Sequence, residues 1–88
     1  MIMTETDIKA LIRSLVTPLL RHPESLSITV SDSDRFRRYT VNVDAADVGR
    51  LIGRQGHVAA ALRTVVEGAR SRRTNAKKIR LLINDHRH

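Results

Sequence analysis

Residues 51–62 read LIGRQGHVAAAL, apolar helical text on both sides of two glycines three apart. Glycine in a helix interior costs about 1 kcal/mol against alanine, so Gly53 and Gly56 mark a break rather than one continuous helix. The stretch predicts a short helix that ends at Gly53 and a second that starts near Gly56 or His57. Gly53 can close the first helix in a left-handed conformation without a Cβ penalty, and Gly56 lets the backbone come close to a ligand. The second helix then opens with free N–H groups and the positive end of its dipole facing outward. Such a break is an anion seat made of main chain, with Arg50 and Arg54 adding charge and Gln55 a hydrogen-bonding side chain. The plain alternative is a helix–helix turn with Arg54 and Gln55 as solvated loop residues. G-x-x-G by itself arises readily by chance, so its surroundings decide.

Upstream, Ile8, Leu11, Ile12, Leu15, Val16, Leu19 and Leu20 follow helical spacing and predict an amphipathic helix over residues 5–21, capped by Thr4 or Thr6. Pro18 is expected to kink this helix rather than stop it, and HPES at 22–25 to end it. Leu26, Ile28 and Val30 alternate with polar residues, as do Tyr39, Val41 and Val43, which predicts a hairpin around a turn at 31–34. Asp44 reads as an N-cap, with Asp47 placing negative charge in the first turn. Val48, Leu51 and Ile52 give the short helix an inward face. The second helix is expected to run to about Arg70 through Val58, Ala61, Leu62, Val65, Val66 and Ala69. A basic loop at 71–78 and a strand carrying Ile79, Leu81 and Ile83 follow. The order α-β-β-α-α-β predicts a two-layer α+β domain over residues 1–84, a three-stranded sheet covered on one face by three helices, with 85–88 a frayed tail.

Charge narrows the function. The net charge is +7, but residues 1–47 carry six Lys/Arg against seven Asp/Glu, whereas residues 48–88 carry ten against two. An excess confined to one half points to a polyanion, nucleic acid before membrane. The aromatic residues are Phe36 and Tyr39 alone, which argues against a binding mode built on aromatic stacking. Arg70, Arg72, Arg73, Lys77 and Lys78 form a secondary patch for longer RNA or, alternatively, cations that suit a helix C-terminus. They lie about 20 Å along the helix from the glycines. Ala59, Ala60, Ala61 and Ala69 make the second helix a candidate dimer face, or simply a good helix. Arg63 reads as solvated surface, and His57, at a helix start, is expected neutral. His22 reads as a helix-end residue, and His86 and His88 make a poor metal site.

No cysteine is present, so disulfides and thiolate metal sites are excluded. No apolar run approaches the ~18 residues that span a bilayer, and the N-terminus lacks a signal-peptide layout; a cytoplasmic location is expected. Beside the glycines stand no carboxylate pair, Cys or Ser, and G-x-x-x-x-G-K-[ST] is absent. An enzyme and a cofactor are therefore not expected. Two rivals remain: a helix-turn-helix DNA binder, whose exposed second helix would offer Glu67 and several alanines, and a protein-interaction subunit with incidental RNA contacts.

VGRLIGRQGHVAAALRTVV resembles the V-I-G-x-x-G-x-x-I-x-x-L segment of KH domains. The element order is similar to the type II, prokaryotic KH topology, in which two of the three strands are parallel. Across residues 5–84, including RHPESLSITV, the chain resembles the small bacterial single-KH proteins of the KhpA type. The resemblance implies a single-stranded RNA-binding module, an RNA chaperone or post-transcriptional regulator. In that family the GXXG loop and flanking helix clamp about four nucleotides. The matching positions are Gly53, Arg54, Gln55 and Gly56, with Arg50 and His57 beside them. Ile52 and Val58 would flank the loop over an aliphatic groove floor, with Val41 or Val43 contributing from the strand. The resemblance also implies a homodimer, or a heterodimer with a larger KH-containing protein of the Jag (KhpB) type. Pro18 and the tail beyond Asn84 depart from the family pattern.

Overall fold

The computed structural model describes residues 5–68 and 78–84. Helix α1 spans Glu5–Val16, β1 Ser27–Asp32, β2 Phe36–Asn42, α2 Val48–Ile52, α3 His57–Glu67 and β3 Lys78–Ile83. The sheet order is β1-β2-β3. β1 pairs antiparallel with β2, and β2 pairs parallel with β3. The expected α+β order and mixed sheet are therefore observed. The parallel pair requires the chain to cross over, and α2 and α3 are that crossover, as parallel strands demand.

Strand alternation sends one set of side chains to the helices. Tyr39, Val41, Ile79 and Leu81 are buried there, with Ile28, Val30 and Ile83 half-buried at the margins. From α1 come Ile8, Ile12 and Val16, from α2 Val48 and Leu51, from α3 Ala59, Leu62 and Val66. Spacings of three or four put each set on one helix face. Val41 and Val43 are 0% and 4% exposed, so they belong to this core and not to a groove floor. Their period-two positions look alike for either role, and the helix layer above them decides it.

Pro18 does more than kink α1. The α-helix stops at Val16 and the chain tightens into a 3-10 turn at Thr17–Leu19. The proline ring cannot sit above the carbonyl four residues back, but early in a new turn its missing N–H leaves no bond unmade. Leu19 and Leu20 still pack half-buried on the core. A second 3-10 turn holds Pro23–Ser25. Two other expectations shift. Ser31 and Asp32 lie in β1 rather than in the hairpin turn, where Asp32 stands opposite Arg37 and binds its Nε at 2.8 Å. Lys78 opens β3 instead of ending a loop, its N–H donating to the Arg35 carbonyl at 3.0 Å. Thr6 lies inside α1, and Thr4 falls outside the described residues.

Candidate nucleic-acid interface

The approach to the glycines is fixed by two aspartates with different jobs. Asp44 caps a 3-10 turn at Ala45–Asp47, accepting from the Ala46 N–H at 2.9 Å. Asp47, expected to serve only as first-turn charge, is 0% exposed. Its carboxylate accepts from the backbone N–H groups of Arg21 and His22 at 3.0 and 2.8 Å. It thereby ties the end of the α1 segment to the start of α2. Burial alone would raise the Asp47 carboxyl. The two N–H groups, with the charges of His22 and Arg50, more than reverse this and hold it below the ordinary carboxylate range. Arg50, expected beside the ligand, has its Nε 3.7 Å from Asp47 while its side chain stays exposed. It therefore answers partly to this internal anion.

From Gly53 the backbone departs from helical geometry. Gly53 has φ 72° and ψ 178°, Gln55 φ 56° and ψ 23°, and Gly56 φ 78° and ψ 11°. Gly53 therefore is not left-handed helical, as expected, but occupies a region open essentially to glycine alone. A Cβ there would overlap Val58 Cγ2 and stand 2.8 Å from Val58 Cβ. The close approach in this loop is thus Gly53 against Val58, inside the protein. At Gly56 a Cβ would meet nothing within 4 Å; glycine suits that position by its φ and by leaving the outer side open. Gln55 in the left-handed region was not foreseen. It has no sequence signal, since glutamine rarely adopts it.

The Gly53 N–H closes α2 on the Gly49 carbonyl at 2.9 Å, and the Gly56 N–H reaches the Gly53 carbonyl at 3.2 Å. No side chain caps the N-terminus of α3. Arg54, Gln55 and His57 are exposed around it, while Ile52 and Val58 sit half-buried on either side and pack against the core. The structure thus brings Ile52, Gly53, Arg54, Gln55, Gly56, His57 and Val58 together. Next to the loop an open concavity of about 370 Å³ is lined by Leu15, His57, Val58, Ala61, Leu62 and Val65. The alanine row divides: Ala59 is buried, whereas Ala60 and Ala61 are exposed.

Arg63 and Glu67 are not idle surface. Arg63 Nε donates to the Leu81 carbonyl at 3.2 Å, and the Leu81 N–H donates to Glu67 Oε2 at 3.0 Å. The two side chains, one helical turn apart, cover the outer edge of β3, where an open strand edge would invite pairing. Their spacing of four was the available signal. With Glu67 committed to the sheet, the helix-turn-helix rival loses the polar residue it needed for base contact.

Helix α3 is described to Glu67, with Gly68 as C-cap. Arg70, Arg72, Arg73, Lys77, His86 and His88 lie outside the described residues, and Lys78 is the exposed first residue of β3. Among the described residues no group of three His, Asp or Glu side chains could hold a metal ion, and no helix is long and apolar enough to cross a membrane.

The family model for the KhpA/KhpB KH domain matches residues 9–83. The chain is 43% identical over 79 residues to the RNA-binding protein KhpA of Lactiplantibacillus plantarum, covering 90% of this chain and 91% of that protein. It is 47% identical over 73 residues to the RNA-binding protein KhpA of Listeria monocytogenes, covering 83% and 93%. With the RNA-binding protein KhpA of Bacillus subtilis it shares 34% identity over 83 residues, covering 94% and 100%.

Proposed function

The chain belongs to the KhpA/KhpB KH-domain family, and on that premise we propose that it is a cytoplasmic module that binds single-stranded RNA by clamping the phosphate backbone at Gly53–Gly56, as an RNA chaperone or post-transcriptional regulator. The observation that carries this reading is the three positive-φ residues Gly53, Gln55 and Gly56 between α2 and α3. They turn the chain so that the uncapped start of α3 follows directly on the exposed side chains of Arg54 and Gln55. A phosphate seated there receives main-chain N–H donors and the positive helix end, with Arg54 as counter-charge. Ile52 and Val58 offer aliphatic contact to the adjoining bases. Nothing in such a seat reads base edges, so the binding is tolerant of sequence.

The double substitution Arg54→Asp with Gln55→Asp tests the clamp. Fluorescence anisotropy with a short single-stranded RNA is expected to show binding lost, with the circular dichroism unchanged. Retained affinity would refute the clamp. With three or four phosphates neutralised, log K against log salt is expected to slope about −2 to −3.

The concavity between α1 and α3 favours a second role. Its lining is aliphatic apart from His57, and Val65 is 49% exposed. A trough whose walls are aliphatic apart from His57 suits apolar side chains better than base edges. We therefore assign it to self-association or to a KhpB-type partner. Val65→Glu is expected to lower the sedimentation mass of any dimer; an unchanged mass would remove this face from the interface.

A further inference from the structure

Strand parity sends a second set of side chains to the sheet face opposite the helices. On that face Phe36 pairs with Lys78, and Arg38 pairs with Arg80, across the β2–β3 ladder. The Arg80 guanidinium lies over the Phe36 ring, 4.6 Å from its centroid. Like charges directly opposite one another on a sheet are destabilising. Yet no carboxylate stands at a described position of this face, and Arg38, Lys78 and Arg80 make no ion pair among the described residues. One residue earlier, on the other face, Arg37 meets Asp32 at 2.8 Å. Among the described residues the chain thus neutralises Arg37 internally and leaves three neighbouring cations without an ion-pair partner.

We propose that this open sheet face is a second RNA-binding surface, on which a base stacks over the Arg80 guanidinium held flat by Phe36, while Arg38 and Lys78 take the flanking phosphates. Bases stack on arginine planes as well as on aromatic rings, so a chain with two aromatic residues can still present a stacking platform. Beyond the cations the face is polar apart from Leu82, which stands exposed opposite Thr40. Asn42 Nδ2 donates to Thr29 Oγ1 at 3.0 Å, and Asn84 Nδ2 donates to Asn42 Oδ1 at 3.0 Å, a row of amide and hydroxyl groups running from β1 across β2 to the residue just past β3. Such groups match sugar and base edges. A membrane would ask instead for several protruding apolar side chains, and here Phe36 is half-buried beneath Arg80, which leaves Leu82 as the one exposed apolar side chain among the described residues of this face. The loop at Gly53–Gly56 belongs to the helix layer on the other side of the sheet. A strand of about four nucleotides fills the loop alone, whereas a longer strand can pass around the domain and engage both surfaces.

The proposal rests on RNA being the ligand, but not on the glycine clamp. Anisotropy is measured with a five-nucleotide and a twenty-nucleotide RNA on the full chain. Arg38→Glu with Arg80→Glu is expected to weaken the longer RNA at least tenfold. It should also flatten its salt slope by about 0.7, the one phosphate contact made by Arg38, and leave the shorter RNA unchanged. Lys9→Glu with Arg13→Glu on α1 makes the same change in net charge and is expected to change neither. Phe36→Leu keeps every charge and is expected to weaken the longer RNA about threefold. Equal losses in the two charge-reversed variants would overturn the proposal, as would an unchanged affinity and slope for the longer RNA. Loss of binding to phosphatidylserine vesicles with RNA affinity intact would overturn it in favour of a membrane. If wild-type protein ignores the short RNA but holds the long one through Arg38 and Arg80, the clamp fails and the sheet surface stands.

Discussion

Two places in this molecule can offer backbone N–H groups to an anion: one holds a carboxylate of the chain itself, and the other is the proposed clamp. At the junction of the α1 segment and α2, the donors of Arg21 and His22 converge on the Asp47 carboxylate with Arg50 beside it. At the glycine loop, six residues on, similar chemistry is assembled from the start of α3 and Arg54, but no acidic side chain is supplied. The first arrangement is closed and serves the fold. The second is open, and in the proposed clamp its anion comes from outside. One arrangement thus serves both tasks, and the presence or absence of a built-in carboxylate separates structure from function.

The largest effect should come from emptying the closed site. Asp47→Ala leaves two N–H groups without the buried carboxylate that accepts them, whereas Asp47→Asn leaves one. The urea midpoint is expected to fall furthest for Ala and by less for Asn. Acid sharpens the point. Because the folded carboxyl lies below its unfolded value, the stability it contributes is complete above about pH 4 and is lost as pH falls through the folded value. Between about pH 5 and pH 2.5 the wild-type midpoint should therefore drop more steeply than that of Asp47→Asn. Parallel acid profiles would show that Asp47 is not the internal anion described.

The two glycines should then part company. Gly53→Ala forces a Cβ into Val58 at a backbone angle alanine avoids and is expected to cost about 3 kcal/mol of stability. Gly56→Ala meets no atom of the protein and is expected to cost about 1 kcal/mol. Its methyl group projects into the open side where the proposed clamp would seat the ligand. RNA affinity per folded molecule should therefore fall at Gly56 by more than its stability loss suggests. If the two substitutions cost the same in a denaturant titration, the internal packing role of Gly53 is wrong.

Much of this was legible in the residues. Period-two and period-3.6 spacing placed every described strand and α-helix, because each has one buried face, but gave no sign of the 3-10 turns or of the end of α1 at Val16. The glycine pair announced a break, because only glycine tolerates such angles. What stayed hidden depends on partners distant in sequence. Asp47 lies 26 positions from Arg21, and nothing near it marks it as buried. Val41 and Val43 looked equally suited to groove and core until α2 and α3 were laid over them. Arg63 and Glu67 read as surface because a solvated ion pair and a pair gripping a strand edge have the same spacing. The pairing of Arg38 with Arg80 needs the parallel register of β2 and β3, which periodicity cannot supply.

Glu67 offers an intermediate case between the closed and open sites, and the smallest expected effect. Like Asp47, it is a built-in carboxylate that accepts a backbone N–H, that of Leu81 at 3.0 Å. Unlike Asp47, it is only half-buried. Water can therefore replace Glu67 on the Leu81 N–H once the side chain is removed, and most of the desolvation penalty never arises. Glu67→Ala is expected to lower stability by about 0.5–1 kcal/mol, far less than the change at Asp47, and to speed hydrogen exchange at the Leu81 amide. A loss as large as that of Asp47→Ala would mean that burial does not rank these sites. The distinction between an anion the chain supplies and one it recruits would then need another physical basis.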